Sequence, residues 1–455
     1  MPSSSFYPYI SEDLWPDIVD ILASDLETLA VICTTSRLIS RYCRQHLFKT
    51  IVLHIALGKS ELHTRLLGLQ ECLSQRPELS NLIKTLSITI SLESAWGPDD
   101  ATDFPAANQL FREAFCPLLS LLKSLETLII CNDCDGFERI PLGSPELGSP
   151  EFFQSISSPR LSTLEFKRVT FNEVPLSFLR RFPNLQRLRV EDASVQIVPD
   201  VCQESEDREQ IYLKSFAFVY ATSHSHTYTF NRIYIQDLIT PGGGISMDRL
   251  EHLDFSSSFE INHQQVSNIL KRSSDTLKKI TYTMPNNSAG GRHASLSSNI
   301  LDLKNRPIFS TLSSLRHFEF RISAIDCLDD AAWTPQPSLS GVPVKVAEWM
   351  VNSCKLLDAC PRLSLLEIKI TWMFSPNLFS DILKRDWKTL DGLIGQGLLR
   401  SLKRIRFNLE LSPWWQTSDP NYKDWLEFQP FLDEVFSSAT SRGISVDVEH
   451  TFDKE

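Results

Sequence analysis

Apolar residues recur along most of the chain in groups of three, at relative positions 0, 3 and 5, with polar or charged residues between them. Leu185, Leu188 and Val190 form a typical group. Ten groups follow this spacing, and they begin at Ile83, Leu125, Leu161, Leu185, Leu213, Leu250, Leu277, Leu315, Leu363 and Leu402. Any buried strand could produce one such group, but ten groups in succession predict a repeat with one strand in each unit.

Helical patterns precede several of these groups, most clearly over 262–273, 346–360 and 378–394. Helix, short turn and strand in alternation predict an α/β fold, in which stacked βα units form a curved parallel sheet with helices on its other side. The interval between groups varies from 24 to 48 residues, which predicts long surface insertions. We therefore expect an irregular βα solenoid over 51–450, followed by a short tail over 451–455.

A different pattern occupies residues 10–48, where three short helices are predicted after a tail over 1–9. The first helix, over 10–22, carries four apolar residues on one face: Leu14, Ile18, Ile21 and Leu22. An isolated helix of ~13 residues is marginal in water and cannot bury an apolar stripe by itself. This stripe is therefore expected to pack against the rest of the chain or against another protein.

The N-terminal helices resemble the F-box, a short motif whose second helix begins with an Asp-Leu pair and ends at a Cys. Asp25 and Leu26 stand at that pair, and Cys33 stands at the Cys. Ser11 and Ser36 stand where the family carries Pro and Trp. The resemblance implies a three-helix domain over 10–50 that docks on the Skp-family adaptor, and through it on the cullin, of a ubiquitin ligase. The adaptor contacts that it implies are Ile10, Leu14, Trp15, Ile18, Val19, Leu22, Leu26, Leu29, Ile32 and Cys33.

The repeats resemble leucine-rich repeats, whose core spacing L-x-x-L-x-L matches the three apolar positions. The Asn or Cys that closes the family's core is replaced in every group, for example by Ser91, Val169 and Thr371. An F-box followed by leucine-rich repeats is the architecture of substrate adaptors in SCF-type ubiquitin ligases. The resemblance therefore implies that the concave face of the sheet holds a protein substrate.

Composition and charge narrow the possible partners. The chain has 455 residues, 42% of them hydrophobic and 22% charged, and a formal net charge of −11. Nucleic acid and anionic membranes require a basic surface, so neither is an expected partner. No secretory signal and no apolar run of ~20 residues is visible, and the scattered cysteines are typical of reduced thiols. We expect a cytoplasmic or nuclear protein.

Motifs for catalysis or cofactor binding are incomplete. The tripeptide at 58–60 matches the end of a phosphate-binding loop, but Leu53 stands where the first glycine of that loop is required. Cys131 and Cys134 form one CxxC pair, whereas a zinc site needs two pairs. We therefore expect no cofactor, no metal and no catalytic residue, hence a non-catalytic protein.

Charged residues cluster at relative positions 2, 4 and 6, which point away from the core of a strand whose positions 3 and 5 point inward. The candidate substrate contacts are Lys167, Arg187, Arg189, Arg321, Glu367, Lys369, Arg404 and Arg406. Small or polar residues such as Ala217, Asp254 and Thr281 are expected to separate an N-terminal cluster from a C-terminal one. The charges either keep a solvated face soluble or bind an acidic or mixed-charge segment through arginine.

Two functions remain open from the sequence. One is a substrate-recognition subunit of an SCF-type ligase, docking its adaptor through 10–48 and its substrate through the repeats. The other is a leucine-rich-repeat interaction scaffold that takes no part in ubiquitination. Binding of the adaptor distinguishes them.

Overall fold

The computed structural model of the protein describes residues 14–57, 60–92, 113, 115–132, 154–191, 194–198, 210–219, 244–256, 263–283, 305–323, 351–372, 381–411 and 428–452. The chain divides into two compact units, Met1–Leu185 and Gln186–Glu455. Ile10, one of the predicted adaptor contacts, lies outside the described residues.

The first unit starts with three helices and continues with strands and helices in alternation. Its elements are α1 Trp15–Ile21, α2 Leu26–Cys33, α3 Arg37–Leu47, β1 Thr50–Leu57, α4 Ser60–Gln75, α5 Pro77–Ser80, β2 Thr85–Leu92, α6 Cys116–Leu121, β3 Thr127–Asn132, β4 Thr163–Lys167, β5 Thr170–Pro175 and α7 Leu176–Arg180. Strands β1 to β4 pair in sequence order, and every pair is parallel.

The first three helices begin at residues suited to helix starts. Pro16 lies in the first turn of α1, where its missing N–H leaves no helical hydrogen bond unmade. The Asp25 side chain accepts a hydrogen bond from the backbone N–H of Thr28 at the start of α2. Ser36 accepts one from the N–H of Leu38 at the start of α3. These local signals fix the three helix boundaries just before β1.

The second unit repeats the βα alternation. Its elements are β6 Arg187–Glu191, β7 Ser194–Val198, β8 Ile211–Tyr212, β9 Ser215–Val219, β10 Ile245–Ser246, β11 His252–Ser256, α8 His263–Arg272, β12 Lys279–Thr283, α9 Arg306–Ser310, β13 His317–Ser323, α10 351–357, β14 Leu365–Trp372, α11 Asp381–Gly395, β15 Arg404–Leu411, α12 Phe428–Val435, α13 Ser437–Ser441 and β16 Ser445–Phe452. Strands β6, β9 and β11 to β16 form one parallel sheet in that order. The short strands β8 and β10 pair with each other.

The predicted α/β class, the parallel sheet and the spacing of its core residues are confirmed. The residues at positions 0, 3 and 5 of all ten groups are buried, with at most 5% of any of them exposed. Strand pairing aligns equivalent positions, so that Leu188, Phe216 and Leu253 lie side by side. Strand β1 adds a pairing in the same register, with Ile51 opposite Leu86.

Backbone and hydroxyl contacts join the turns in place of the missing asparagines. The carbonyl at position 1 accepts hydrogen bonds from two successive N–H groups of the next repeat, as when Glu251 accepts from Lys278 and Lys279. Hydroxyl groups bond the carbonyl at position 0 of the preceding repeat. The Ser158 hydroxyl donates to Leu125 O over 2.7 Å, and that of Thr276 to Leu250 O over 2.9 Å. These turn carbonyls are thereby satisfied without the asparagine of the family's core.

Aromatic packing shows which face of the second sheet is covered by helices. The Phe407 ring on β15 lies 5.4 Å from Trp387 of α11 and 5.6 Å from Phe436, which follows α12. Phe407 occupies position 5, so the face of positions 3 and 5 packs against the helices. Positions 2, 4 and 6 lie on the opposite face, called the polar face below.

A glutamine side chain covers the outer edge of β16, the last strand of the sheet. Nε2 of Gln429 on α12 donates to the Val446 carbonyl over 3.2 Å, and its Oε1 accepts from the N–H of Val448 over 3.1 Å. A residue of a neighbouring parallel strand would make the same two hydrogen bonds. The Gln429 amide thus takes the place of a strand partner at this point.

Candidate binding surfaces

Helix α1 carries two apolar faces. Trp15, Val19 and Leu22 face the other helices, and Val19 forms a small core with Leu29 of α2 and with residues of α3. The second face consists of Leu14, Ile18 and Ile21, again spaced by four and three residues. Leu14 is 50% exposed and Ile21 is 79% exposed. The second face is therefore not needed to hold the three helices together.

Helix α2 also exposes apolar side chains. Leu26 is 52% exposed and Val31 67%, whereas Ile32 and Cys33 pack against the core of the helices. The residues Leu14, Ile18, Ile21, Leu26 and Val31 are called the exposed helix surface below.

The predicted adaptor contacts divide between core and surface. Val19 and Leu29 are fully buried, so they hold the helices together and can touch no partner of the folded protein. Trp15, Leu22, Ile32 and Cys33 are partly buried against this core. Ile21 and Val31 were not among the predicted contacts. The predicted apolar stripe of the first helix already contained Ile21, whereas no sequence signal marked Val31.

The polar face of the second sheet carries charges close to its centre. Register aligns the position-4 residues in one row across the strands: Arg189, Ala217, Asp254, Thr281, Glu319, Glu367, Arg406 and Asp447. Glu319 is only 4% exposed and Glu367 only 8%. The centre of this face is thus a buried polar region, which differs from the solvated face that was one of the two expectations.

Asp254 on β11 joins arginines from both sides. Its Oδ2 lies 3.2 Å from Nη1 of Arg189 on β6 and 3.2 Å from Nη1 of Arg321 on β13. Each guanidinium reaches across one intervening strand, which carries Ala217 or Thr281 at the position aligned with Asp254. Asp254, which was expected only to separate two charge clusters, instead joins Arg189 to Arg321, and the short side chains beside it leave room for both arginines.

Glu319 is the most tightly held acid of the polar face. Its Oε1 lies 2.6 Å from Nε of Arg321, and its Oε2 lies 2.5 Å from Nζ of Lys279. Burial opposes ionisation, but Arg321 and Lys279 outweigh it and lower the pKa of Glu319 to about 2. For Asp254 burial prevails over its two arginines, and its pKa is raised.

His317 and two acids form the only grouping of metal-ligand side chains found among the described residues. One donor atom each from His317, Glu319 and Glu367 lies within 4.8 Å of the others, and His317 Nε2 lies 2.8 Å from Glu367 Oε2. Both oxygens of Glu319 already contact cationic side chains. A divalent ion would have to displace Lys279 and approach Arg321, so these residues suit an ion-pair cluster better than a metal centre.

The remaining predicted substrate contacts also pair with acids, except for Arg187, which is exposed at the start of β6. Lys167 in the first unit lies 3.4 Å from Glu165. In the second unit the pairs are Lys369 with Glu410, Arg404 with Asp447 and Arg406 with Glu449. Most of the charges chosen from sequence are therefore neutralised by neighbouring strands.

No protein-family model matches the chain, and no curated protein matches it at a significant level. Within the described ranges, no helix has the length and apolar character needed to cross a membrane.

Proposed function

We propose that this protein is a non-catalytic adaptor that resembles the F-box substrate-recognition subunits of SCF-type ubiquitin ligases. The observation that carries the proposal is the exposed helix surface, whose apolar side chains face solvent although the three helices already have a core of their own. Leu14, Ile18 and Ile21 share one face of α1, and an exposed apolar face of this kind is typical of a protein interaction site.

The exposed apolar side chains of the helices could contribute free energy to the binding of a partner. Burying an aliphatic side chain completely contributes ~1.5–3 kcal/mol. Leu14, Ile21, Leu26 and Val31 are each at least half exposed, so about half or more of that contribution is still available for binding a partner. The partner implied by the F-box resemblance is the Skp-family adaptor, which connects the chain to a cullin.

The chain itself need not carry out a reaction in this function. Its second unit would hold a protein substrate while the helices hold the ligase, which raises the effective concentration of a substrate lysine near the enzyme that transfers ubiquitin. The buried ion pairs of the polar face would keep the strand stack in one register.

Direct binding of the full chain to a purified Skp-family adaptor tests the proposal, with affinity measured by calorimetry. The double variant Leu14→Asp/Ile21→Asp should lose at least about a hundredfold in affinity, since two apolar contacts become charged. Val52→Asp is the matched control, because Val52 is 53% exposed but lies on β1 outside the helices. Equal binding by the double variant and the wild type would contradict the proposed surface.

An interaction scaffold outside ubiquitination is the second candidate. It is favoured by Ser36, whose side chain caps α3 at the position where the F-box family carries tryptophan. Wild-type protein that does not bind the adaptor would support this candidate and reject the first.

A further inference from the structure

Basic residues collect at one edge of the second sheet, the edge where its parallel strands begin. This strand-start edge consists of positions 1 and 2 of the repeats in β6, β9 and β11 to β16. Its cations are Arg187, Lys214, Lys278, Lys279, Arg316, Lys403 and Arg404. The same positions contain one acid, Glu251, in a chain whose formal net charge is −11. The strand-start edge is thus positively charged, although the chain as a whole is negatively charged.

Part of this positive charge has no acidic partner. Lys278 pairs with Glu251, Lys279 with Glu319 and Arg404 with Asp447. The other four cations of the edge are all exposed and form no ion pair with any residue that the structure describes: Arg187, Lys214, Arg316 and Lys403. These four differ from the charges at the centre of the polar face, where acids of the same sheet neutralise most arginines and lysines.

Strand register places the basic residues of position 2 in a line. Arg187, His252, Lys279, His317 and Arg404 all occupy position 2 and are aligned by pairing from β6 to β15. Seven strands separated by ~4.8 Å extend over ~29 Å, the length of about nine residues of extended polypeptide at ~3.3 Å each.

His252, near the middle of this line, is placed among cations. Its pKa is lowered chiefly by burial, with Lys279, Arg187 and Lys278 adding to the effect and Glu251 opposing it. Three cations and one acid of the strand-start edge therefore act on the His252 imidazole.

We propose that the strand-start edge of the second unit binds an extended acidic polypeptide segment of about nine residues. Charge complementarity carries this inference, because four exposed cations without an ion pair among the described residues are distributed along the strand starts from β6 to β15: Arg187, Lys214, Arg316 and Lys403. A longer polyanion such as DNA would extend beyond the edge and meet a chain of net charge −11. The inference refines the proposed function by naming a class of substrate, but the binding itself needs no ligase adaptor.

Fluorescence anisotropy tests the proposal with the full chain and a labelled ten-residue peptide of alternating Asp and Ser. The wild type should bind this peptide and not the Asn-Ser peptide of equal length, and affinity should fall with added salt. A single-stranded ten-nucleotide DNA serves as a second probe. Tighter binding of the DNA than of the acidic peptide would overturn the assignment to a polypeptide.

Two charge-matched variants locate the site. Lys214→Glu/Arg316→Glu reverses two cations of the edge, whereas Lys271→Glu/Lys388→Glu makes the same charge change on α8 and α11. The edge variant should lose about tenfold or more in peptide affinity and the control less than about twofold. Equal losses in both variants would overturn the inference. Circular dichroism verifies that both variants are folded. Binding of the Skp-family adaptor should be unchanged in the edge variant. Failure of this inference is therefore distinguishable from failure of the proposed function.

Discussion

The helices of the first unit expose apolar residues, whereas the polar face of the second unit buries acidic ones. Both arrangements are the reverse of the usual distribution, in which apolar residues are buried and acids are exposed. Ile21 and Val31 expose 79% and 67% of their surface, whereas Glu319 and Glu367 expose 4% and 8%. The exposed apolar residues have no described partner that covers them, but the buried acids contact cations on neighbouring strands. The comparison suggests that the conspicuous charges serve the fold, whereas apolar residues on short helices are available for a partner.

The energetic reason lies in the cost of burying charge. An ionised side chain removed from water is strongly destabilising unless it is paired and hydrogen-bonded. Glu319 meets this condition through Arg321, Lys279 and the Thr281 hydroxyl, which lies 3.3 Å from its Oε2. Removing one member should therefore cost more than the pair contributes, because its partners remain buried.

The largest effect is expected for Glu319→Gln. This change keeps the size of the side chain but removes the acid that pairs with Lys279 and leaves Arg321 with Asp254 alone, and it should cost about 3–5 kcal/mol of unfolding free energy. Urea unfolding measures the cost, and hydrogen exchange of β13 localises it. Glu449→Gln is the control, because Glu449 is 60% exposed and 3.8 Å from Arg406, and its loss should cost under about 0.5 kcal/mol. Similar costs for the two variants would contradict a structural role for Glu319.

Acid should weaken the fold through the same residue. The pKa of Glu319 is lowered from 4.5 to about 2 in the folded protein. Its contribution is therefore fully present above pH ~4.5 and is lost as pH falls towards ~2, for a total of ~3 kcal/mol. Urea unfolding at a series of pH values measures this loss. The Glu319→Gln variant should show a shallower decline over that range, and an unchanged decline would exclude Glu319 as its source.

Asp254→Asn should cost less than about 1 kcal/mol at pH 7, although Asp254 contacts two arginines. Burial raises the pKa of Asp254, so its charged form is disfavoured in the fold. The amide oxygen of asparagine can still accept hydrogen bonds from Arg189 and Arg321. Urea unfolding beside Glu319→Gln provides the measurement. A cost as large as that of Glu319→Gln would mean that the Asp254 charge is needed to hold both arginines.

The smallest effect is expected for Ile21→Ser, which should change the unfolding free energy by less than about 0.5 kcal/mol. Ile21 makes little contact with the rest of the chain, so it contributes little to the fold. Leu29→Ala, in the core of the same helices, should cost ~2–5 kcal/mol. Thermal unfolding of both variants tests the distinction, and a comparable loss for Ile21→Ser would place Ile21 in the core.

The repeat could be predicted because its signal is local: each strand shows its own buried positions, and Leu188 needs no knowledge of its neighbours to be assigned inward. The meeting of Arg189, Asp254 and Arg321 could not be predicted in the same way. It depends on strand order, on register and on the short side chains of Ala217 and Thr281 between them. The two apolar faces of α1 gave a further ambiguity, because spacing alone does not tell which face packs inside.

The Gln429 side chain blocks the addition of a further strand to the sheet at β16. Parallel strands in register form a one-dimensional lattice, and each added strand offers the next one the same row of N–H and C=O groups. The Gln429 amide occupies two of these groups on β16, as an end group stops a growing polymer. A second copy of the chain must displace that amide before it can continue the sheet there. One side chain on α12 thus opposes the fibre-like association to which an open sheet edge is prone.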